Sequence, residues 1–165
     1  MLFVDMDGTL NYFEKASSLE EITSEGYFFS RSPIMTVVSA IRFLATKNPE
    51  KVCILSSVFQ DNHSIPEKEA WLAMYMPEIE KAIFVPYGTS KAKFIENMLG
   101  RNLNKKDFLL DDFSKNLHEW SGTGIKLYND INGTKGTWTG YSVHYNCSPE
   151  VIVNTILGVM TMIAA

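Results

Sequence analysis

The chain begins inside a β-strand and runs directly into two acids. Leu2, Phe3 and Val4 form an apolar run of strand character that stops at Asp5, and Asp7, Gly8 and Thr9 follow within four residues. A strand ending in Asp-x-Asp-Gly-Thr sets two carboxylates on the carboxyl edge of a sheet, where open α/β folds bind their ligands. Gly8 lets the backbone turn sharply and come close to a bound group. Acids gathered there call for a counter-charge, and a hard cation such as Mg²⁺ is the natural one. Side chains alternate along a strand, but the chain turns after Asp5, so Asp5 and Asp7 can meet at one point. One acid could attack phosphorus while also holding the metal, and the other could protonate a leaving oxygen; Asp is an established nucleophile in such chemistry. A plain Asp/Gly turn would look the same locally, so the rest of the chain has to decide.

Residues 11–15 are expected to make a first helical turn, and residues 17–32, with the cluster Tyr27-Phe28-Phe29, to interrupt the usual strand-to-helix connection. An insert of that size at the carboxyl edge reads as a small helical cap over about residues 14–32, on a single domain spanning 1–165. Pro33 then opens a helix with an apolar stripe through Met35, Val38, Ile41 and Leu44. Lys51-Val52-Cys53-Ile54-Leu55-Ser56-Ser57 reads as a buried parallel strand ending in two hydroxyls, with Cys53 as a small buried hydrophobe. A helix begins at Pro66, a short strand covers Ala82 to Val85, and Thr89 or Ser90 caps a helix with Lys91 and Lys93 in its first turn. Residues 106–112 make the next strand, which also ends in paired acids, Asp111 and Asp112. A helix from Ser114, a strand at 125–128, a hairpin or irregular arm over 133–145 and a last helix capped by Ser148 complete the order. Strands alternating with helices predict an α/β fold with a doubly wound, largely parallel sheet.

In such a sheet the carboxyl ends of all strands share one edge. Asp5, Asp7, Ser56, Lys91 and the Asp111-Asp112 pair therefore fall on one side of the molecule. Asp5, the backbone carbonyl of Asp7 and one or both of Asp111 and Asp112 can supply oxygens to Mg²⁺, while Ser56 and a lysine at a helix start suit a bound anion.

Asp5-Met6-Asp7-Gly8-Thr9 resembles the first motif of the haloacid dehalogenase superfamily in its phosphatase form. The resemblance implies a Rossmann-like fold, Asp5 as the residue phosphorylated in turn and Asp7 as general acid/base; the haloacid-cleaving members lack the second Asp. Ser56-Ser57 is similar to the second motif, Lys91 to the third-motif lysine, with Lys93 and Lys68 as alternatives, and Asp111-Asp112 to the fourth. With Phe13, Tyr27-Phe28-Phe29, residues 66–71 and Asn116, the chain looks most like the 5'(3')-deoxyribonucleotidase group. That implies Phe13, Phe28 or Phe29 against a nucleobase and Lys68 near the substrate, although the aromatics could equally seal the cap onto the core. Two departures stand out: the cap is short, and Pro86-Tyr87-Gly88 occupies a turn where an arginine is expected.

The implied activity is a Mg²⁺-dependent phosphomonoesterase using a phosphoaspartate, a 5'-nucleotidase on (deoxy)nucleoside monophosphates. A phosphatase of another small phosphate ester and a catalytically idle binding module on the same fold are the competing readings. A net charge of −4 disfavours an extended nucleic-acid surface. Cys53 and Cys147 form no disulfide or zinc framework, the opening strand is unlike a secretory leader, and the apolar stretch 151–165 is too short to span a membrane. A cytoplasmic protein acting on a small phosphate ester is expected, with a homodimer as one assembly open to it.

Overall fold

The computed structural model describes residues 1–14, 16–131 and 136–164. Among the described residues six strands form one sheet: β1 (Leu2–Val4), β2 (Val52–Val58), β3 (Ala82–Pro86), β4 (Phe108–Asp111), β5 (Thr123–Tyr128) and β6 (Tyr141–His144). Their spatial order is β3-β2-β1-β4-β5-β6, and every pairing is parallel. The helices are α1 (Leu19–Ile22), α2 (Met35–Lys47), α3 (Ser64–Tyr75), α4 (Lys91–Leu99), α5 (Ser114–Glu119) and α6 (Pro149–Ala164).

Alternation along the strands sorts the side chains into two cores. Leu2, Val4, Ile54, Leu110 and Ile125 point to one face and pack with α2, α3 and α6. Phe3, Cys53, Leu55 and Leu109 point to the other and pack with α4, α5 and Trp120. Strands apolar on both faces need cover on both, which gives the doubly wound arrangement expected of the sequence. Cys53 is buried as expected, and burial pushes its thiol up to about 11. Among the described residues no helix is long and apolar enough to cross a membrane.

Two elements differ from expectation. Residues 11–14 do not start a helix, and Lys15 lies outside the described residues. Asn11 instead bridges Pro33, Tyr12 N–H donates to Ser32 C=O (2.9 Å) and Ile34 N–H to Leu10 C=O (2.8 Å). These bonds close a neck beneath the insert, and a chain held in a ladder cannot also wind. The second difference concerns 133–145, of which 133–135 lie outside the described residues. Tyr141–His144 is no hairpin arm but a sixth parallel strand, paired from Ile125↔Tyr141 to Tyr128↔His144. It lies at the sheet edge and buries only Val143, which explains its loose alternation.

The insert itself is one helical turn, α1, followed by tight turns. Ser18 caps α1 by accepting from Glu21 N–H (3.1 Å), and the Glu21 carboxylate accepts from Ser17 N–H (2.8 Å), a close relative of the reciprocal capping box.

Candidate active site

Register explains why the acids meet. Val4 lies level with Ile54 and Leu110, so Asp5 leaves β1 beside the end of β4, and its N–H donates to Leu110 C=O (2.9 Å). The chain then coils around one carbonyl: Met6 C=O accepts from Thr9, Leu10 and Asn11 N–H. Gly8 sits at φ +83°, in the left-handed region that suits glycine, and a Cβ there would stand 2.4 Å from the Asp112 carboxylate. The loop thus brings its backbone against the fourth-strand acids.

Asp5, Asp111 and Asp112 offer carboxylate oxygens that all lie within 4.8 Å of one another. Thr9 ties them together, its hydroxyl donating to Asp5 Oδ2 (3.1 Å) and accepting from Asp112 N–H (3.2 Å). The Asp7 carboxylate stands apart from this trio and pairs with Lys68 and with Asn11 Nδ2 (3.3 Å). Asp7 was expected to serve the metal through its backbone carbonyl, and its side chain, aimed toward α3 by the turn after Met6, is left free of the trio for another role.

Two lysines hold the acids. Lys91 opens α4, is buried, and reaches both Asp5 Oδ1 and Asp111 Oδ2 (2.9 Å). Ser90 precedes it as N-cap residue but makes no side-chain capping bond. Lys68, fully buried on α3, reaches Asp7, Ser56 Oγ (2.9 Å) and Ser57 C=O (2.7 Å), with its ammonium 4.4 Å above the Phe28 ring. Lys93 does not join them. Of the two serines, Ser56 is closed under Lys68, whereas Ser57 lines the cavity.

Electrostatics follow from burial and crowding. Burial raises Asp5 to about 7; Lys91 opposes the rise, and Asp111 and Asp7 add to it. Burial, then Asp5 and Asp111, carry Asp112 well above the usual carboxylate range. Burial works against the Lys91 ammonium, but Asp111 and Asp5 outweigh it and raise its pKa. Fully ionised, the trio would carry more negative charge than Lys91 can balance, so without a further cation Asp5 and Asp112 hold their protons more tightly.

Asp111 accepts from Lys91 and Asn116 Nδ2 (2.9 Å) at Oδ2 and from Phe113 N–H (2.7 Å) at Oδ1. Among the described residues Asp112 receives one side-chain donor, Asn129 Nδ2 (2.9 Å), and keeps acceptor capacity toward the cavity. Oxygen donors from two strand ends, in excess negative charge, are the donor set of a hard divalent cation. Asp5 and Asp112, with Asp111 beside them, are the residues that fit Mg²⁺.

Some functional neighbours were not singled out from the sequence. Asn129 also donates to Gly8 C=O (2.6 Å), joining the first loop to Asp112. Lys126 reaches Asp112 C=O and Ser114 Oγ (3.1 Å), and burial lowers its pKa against the pull of Asp112. Both lie on or just past β5, at the edge that pointed to Ser56, and a lysine inside the apolar run Ile125-Lys126-Leu127 was the available signal.

A cavity of about 1160 Å³ opens over the acids, at the large end for small-molecule sites. Asp5, Asp7, Asp112, Ser57 and Lys91 lie on its polar side, and Phe13, Leu19, Ile22 and Phe28 of the insert region on its apolar side. Phe13 is half-buried, with its ring parallel to that of Phe28 (7°, 6.4 Å between centroids). Phe28 is closed into the junction of insert and α3, which fits a sealing role as well as a lining one. Phe29, expected with them at the substrate, is 40% exposed and does not line the cavity, since its neighbour Phe28 takes the inward position in the turn. Where an arginine was expected, Tyr87 stacks on Phe59 at the cavity wall (4.5 Å).

No curated protein matches the chain. A protein-family model, described as 5' nucleotidase, deoxy (pyrimidine), cytosolic type C protein, matches residues 13–138. The matched stretch begins after Asp5 and Asp7 and contains Ser56, Lys68, Lys91, Asp111 and Asp112. Well over half of the sequence is covered, and the chain belongs to this 5'-nucleotidase family of phosphoric monoester hydrolases within the haloacid dehalogenase superfamily.

Proposed function

We propose that the chain is a Mg²⁺-dependent 5'-nucleotidase that hydrolyses (deoxy)nucleoside monophosphates in the cytosol through a phosphoaspartate at Asp5. The observation that carries this reading is the meeting of Asp5, Asp111 and Asp112 within 4.8 Å, with Asp7 lining the same cavity. Mg²⁺ bound there would screen the charge of the transferring phosphoryl group.

The chain's own residues supply the rest. Lys91 fixes the Asp5 carboxylate through Oδ1 and bridges it to Asp111 Oδ2, offsetting the repulsion between the two acids. Asp5 attacks phosphorus as the ester P–O bond breaks, and Asp7 gives its proton to the leaving oxygen. Asp7 then takes a proton from the water that attacks the acyl phosphate, which releases phosphate and restores Asp5. The Ser57 hydroxyl suits a non-bridging oxygen at the cavity wall; Lys68, buried with its ammonium on Asp7, Ser56 Oγ and Ser57 C=O, holds Asp7 and the end of β2 in place from behind. Residues 1–165 act as one domain, and residues 14–32 serve as a cap whose Phe28, with Phe13 just before the cap, faces the nucleobase.

The test is phosphate release from deoxynucleoside monophosphates. Asp5→Asn should fall to background, and chelation with EDTA should abolish turnover until Mg²⁺ is restored. Retained turnover in Asp5→Asn would refute the nucleophile assignment.

A further inference from the structure

Helix α3 presents two adjacent polar residues to different parts of the molecule. Lys68 goes to the acids, whereas Glu67 goes to the insert. The Glu67 carboxylate accepts from the backbone N–H groups of Gly26 (2.5 Å), Phe28 (2.9 Å) and Phe29 (3.3 Å). Three donors closing on one anion make a nest of the kind that binds phosphate elsewhere, here filled by the protein's own side chain. The turn needs this partner, because Gly26 sits at φ +87° and backbone donors without an acceptor are costly. The start of α3 is itself fixed: Asp61 accepts from His63 N–H (2.7 Å), Ser64 N–H (2.6 Å) and Ser64 Oγ (2.6 Å).

What the nest positions is Phe28. Its ring is shut between the insert and the Lys68 ammonium, and the half-buried Phe13 lies parallel to it on the cavity side. Trp71, one turn further along α3, donates to Arg31 C=O (2.7 Å) and anchors the far end of the insert. One helix thus sets both the acid end of the cavity and its aromatic wall.

We propose that Glu67 is a specificity-determining positioning residue: by holding the turn over residues 26–29 it sets the Phe13–Phe28 wall for the part of the substrate remote from phosphate, a planar apolar group such as a nucleobase. This rests on the phosphomonoesterase reading above. Glu67 does not line the cavity, so it acts through Phe28 and not on the substrate.

Glu67→Gln tests it, because the amide keeps the shape but has one acceptor oxygen where the carboxylate has two. The readout is the ratio of kcat/KM for a deoxynucleoside 5'-monophosphate to that for glycerol 2-phosphate, which has no base. The ratio should fall about tenfold, the worth of one charge-assisted hydrogen bond, and the fall should appear in the KM of the nucleotide. Amide hydrogen exchange at Phe28 and Phe29 should speed up by a similar factor in the unliganded variant. An unchanged ratio, an equal loss on both esters or unchanged exchange would each overturn the proposal. If the unaltered chain hydrolyses neither ester, the phosphomonoesterase reading fails, and the exchange measurement still decides whether Glu67 holds the turn.

Discussion

Gly8→Ala separates the cost of backbone strain from the cost of disturbing the acids. At φ +83° a side chain is strained by about 1–2 kcal/mol. The new Cβ would also lie 2.4 Å from Asp112 Oδ2 and 2.7 Å from Asp112 Cγ, so that carboxylate must move. Its movement gives up the Asn129–Asp112 hydrogen bond (2.9 Å), worth about 1.5–3 kcal/mol when one partner is charged. The expected loss is about 3–5 kcal/mol, which a domain with about 5–15 kcal/mol of stability can survive folded. Gly88→Ala is the matched control: Gly88 has φ +85° with nothing within 4 Å of a built Cβ, so it bears the strain alone. Urea unfolding without metal should place Gly8→Ala about 1.5–3 kcal/mol below Gly88→Ala. Mg²⁺ titration by calorimetry should show weakened binding in Gly8→Ala alone, and phosphate release should fall with it. Equal stability of the two variants, or unaltered Mg²⁺ binding in Gly8→Ala, would refute the close packing of Gly8 on Asp112 as the reason for a glycine there.

Two further expectations concern charge. Asp5 rises from 3.8 unfolded to about 7 folded, so between those values the metal-free folded chain holds more protons than the unfolded one, and the contribution of Asp5 to stability is lost as pH rises through about 7. The stability of the parent chain relative to Asp5→Asn in EDTA should therefore fall between pH 4 and pH 7.5, by at most about 4 kcal/mol; a flat difference in urea unfolding contradicts the burial argument. Lys68→Met leaves Asp7 and Ser56 without their shared ammonium while filling its volume, and kcat/KM should drop about 10²–10³-fold in a chain that still folds. A loss below tenfold would show that Lys68 holds structure and not charge.

The sequence carried the parts of this site that depend on one geometric rule. Parallel strands put all their carboxyl ends on one edge, so Asp5, Ser56, Lys91 and Asp111 could be brought together without knowing the order of the strands. What the rule could not supply is lateral adjacency. Asn129 matters because β5 lies next to β4 and places its end beside Asp112, a fact of strand order that no local pattern records. Glu67 is hidden for the same reason, since its partners lie 38–41 residues away in a turn with no helical or strand period. Phe28 and Phe29 were indistinguishable because facing in a turn follows from its dihedrals, not from composition.

The same distinction bears on the lysines. Lys68, Lys91 and Lys93 were rivals for one role because charge and helix position were all the sequence offered. The fold divides the work between two of them according to which strand each helix follows. Helix α4 follows β3 yet sends Lys91 across to Asp5 and Asp111, the acids of the two central strands, whereas α3 follows β2 and sends Lys68 to Asp7 and the serines. Each acid of the opening motif thereby receives its own cation. A single lysine could not span both, since Asp5 and Asp7 diverge at the turn after Met6, toward the metal-fitting trio on one side and toward α3 on the other. Two acids two residues apart can serve as nucleophile and proton donor only if their surroundings differ, and it is these two helices that make the surroundings differ.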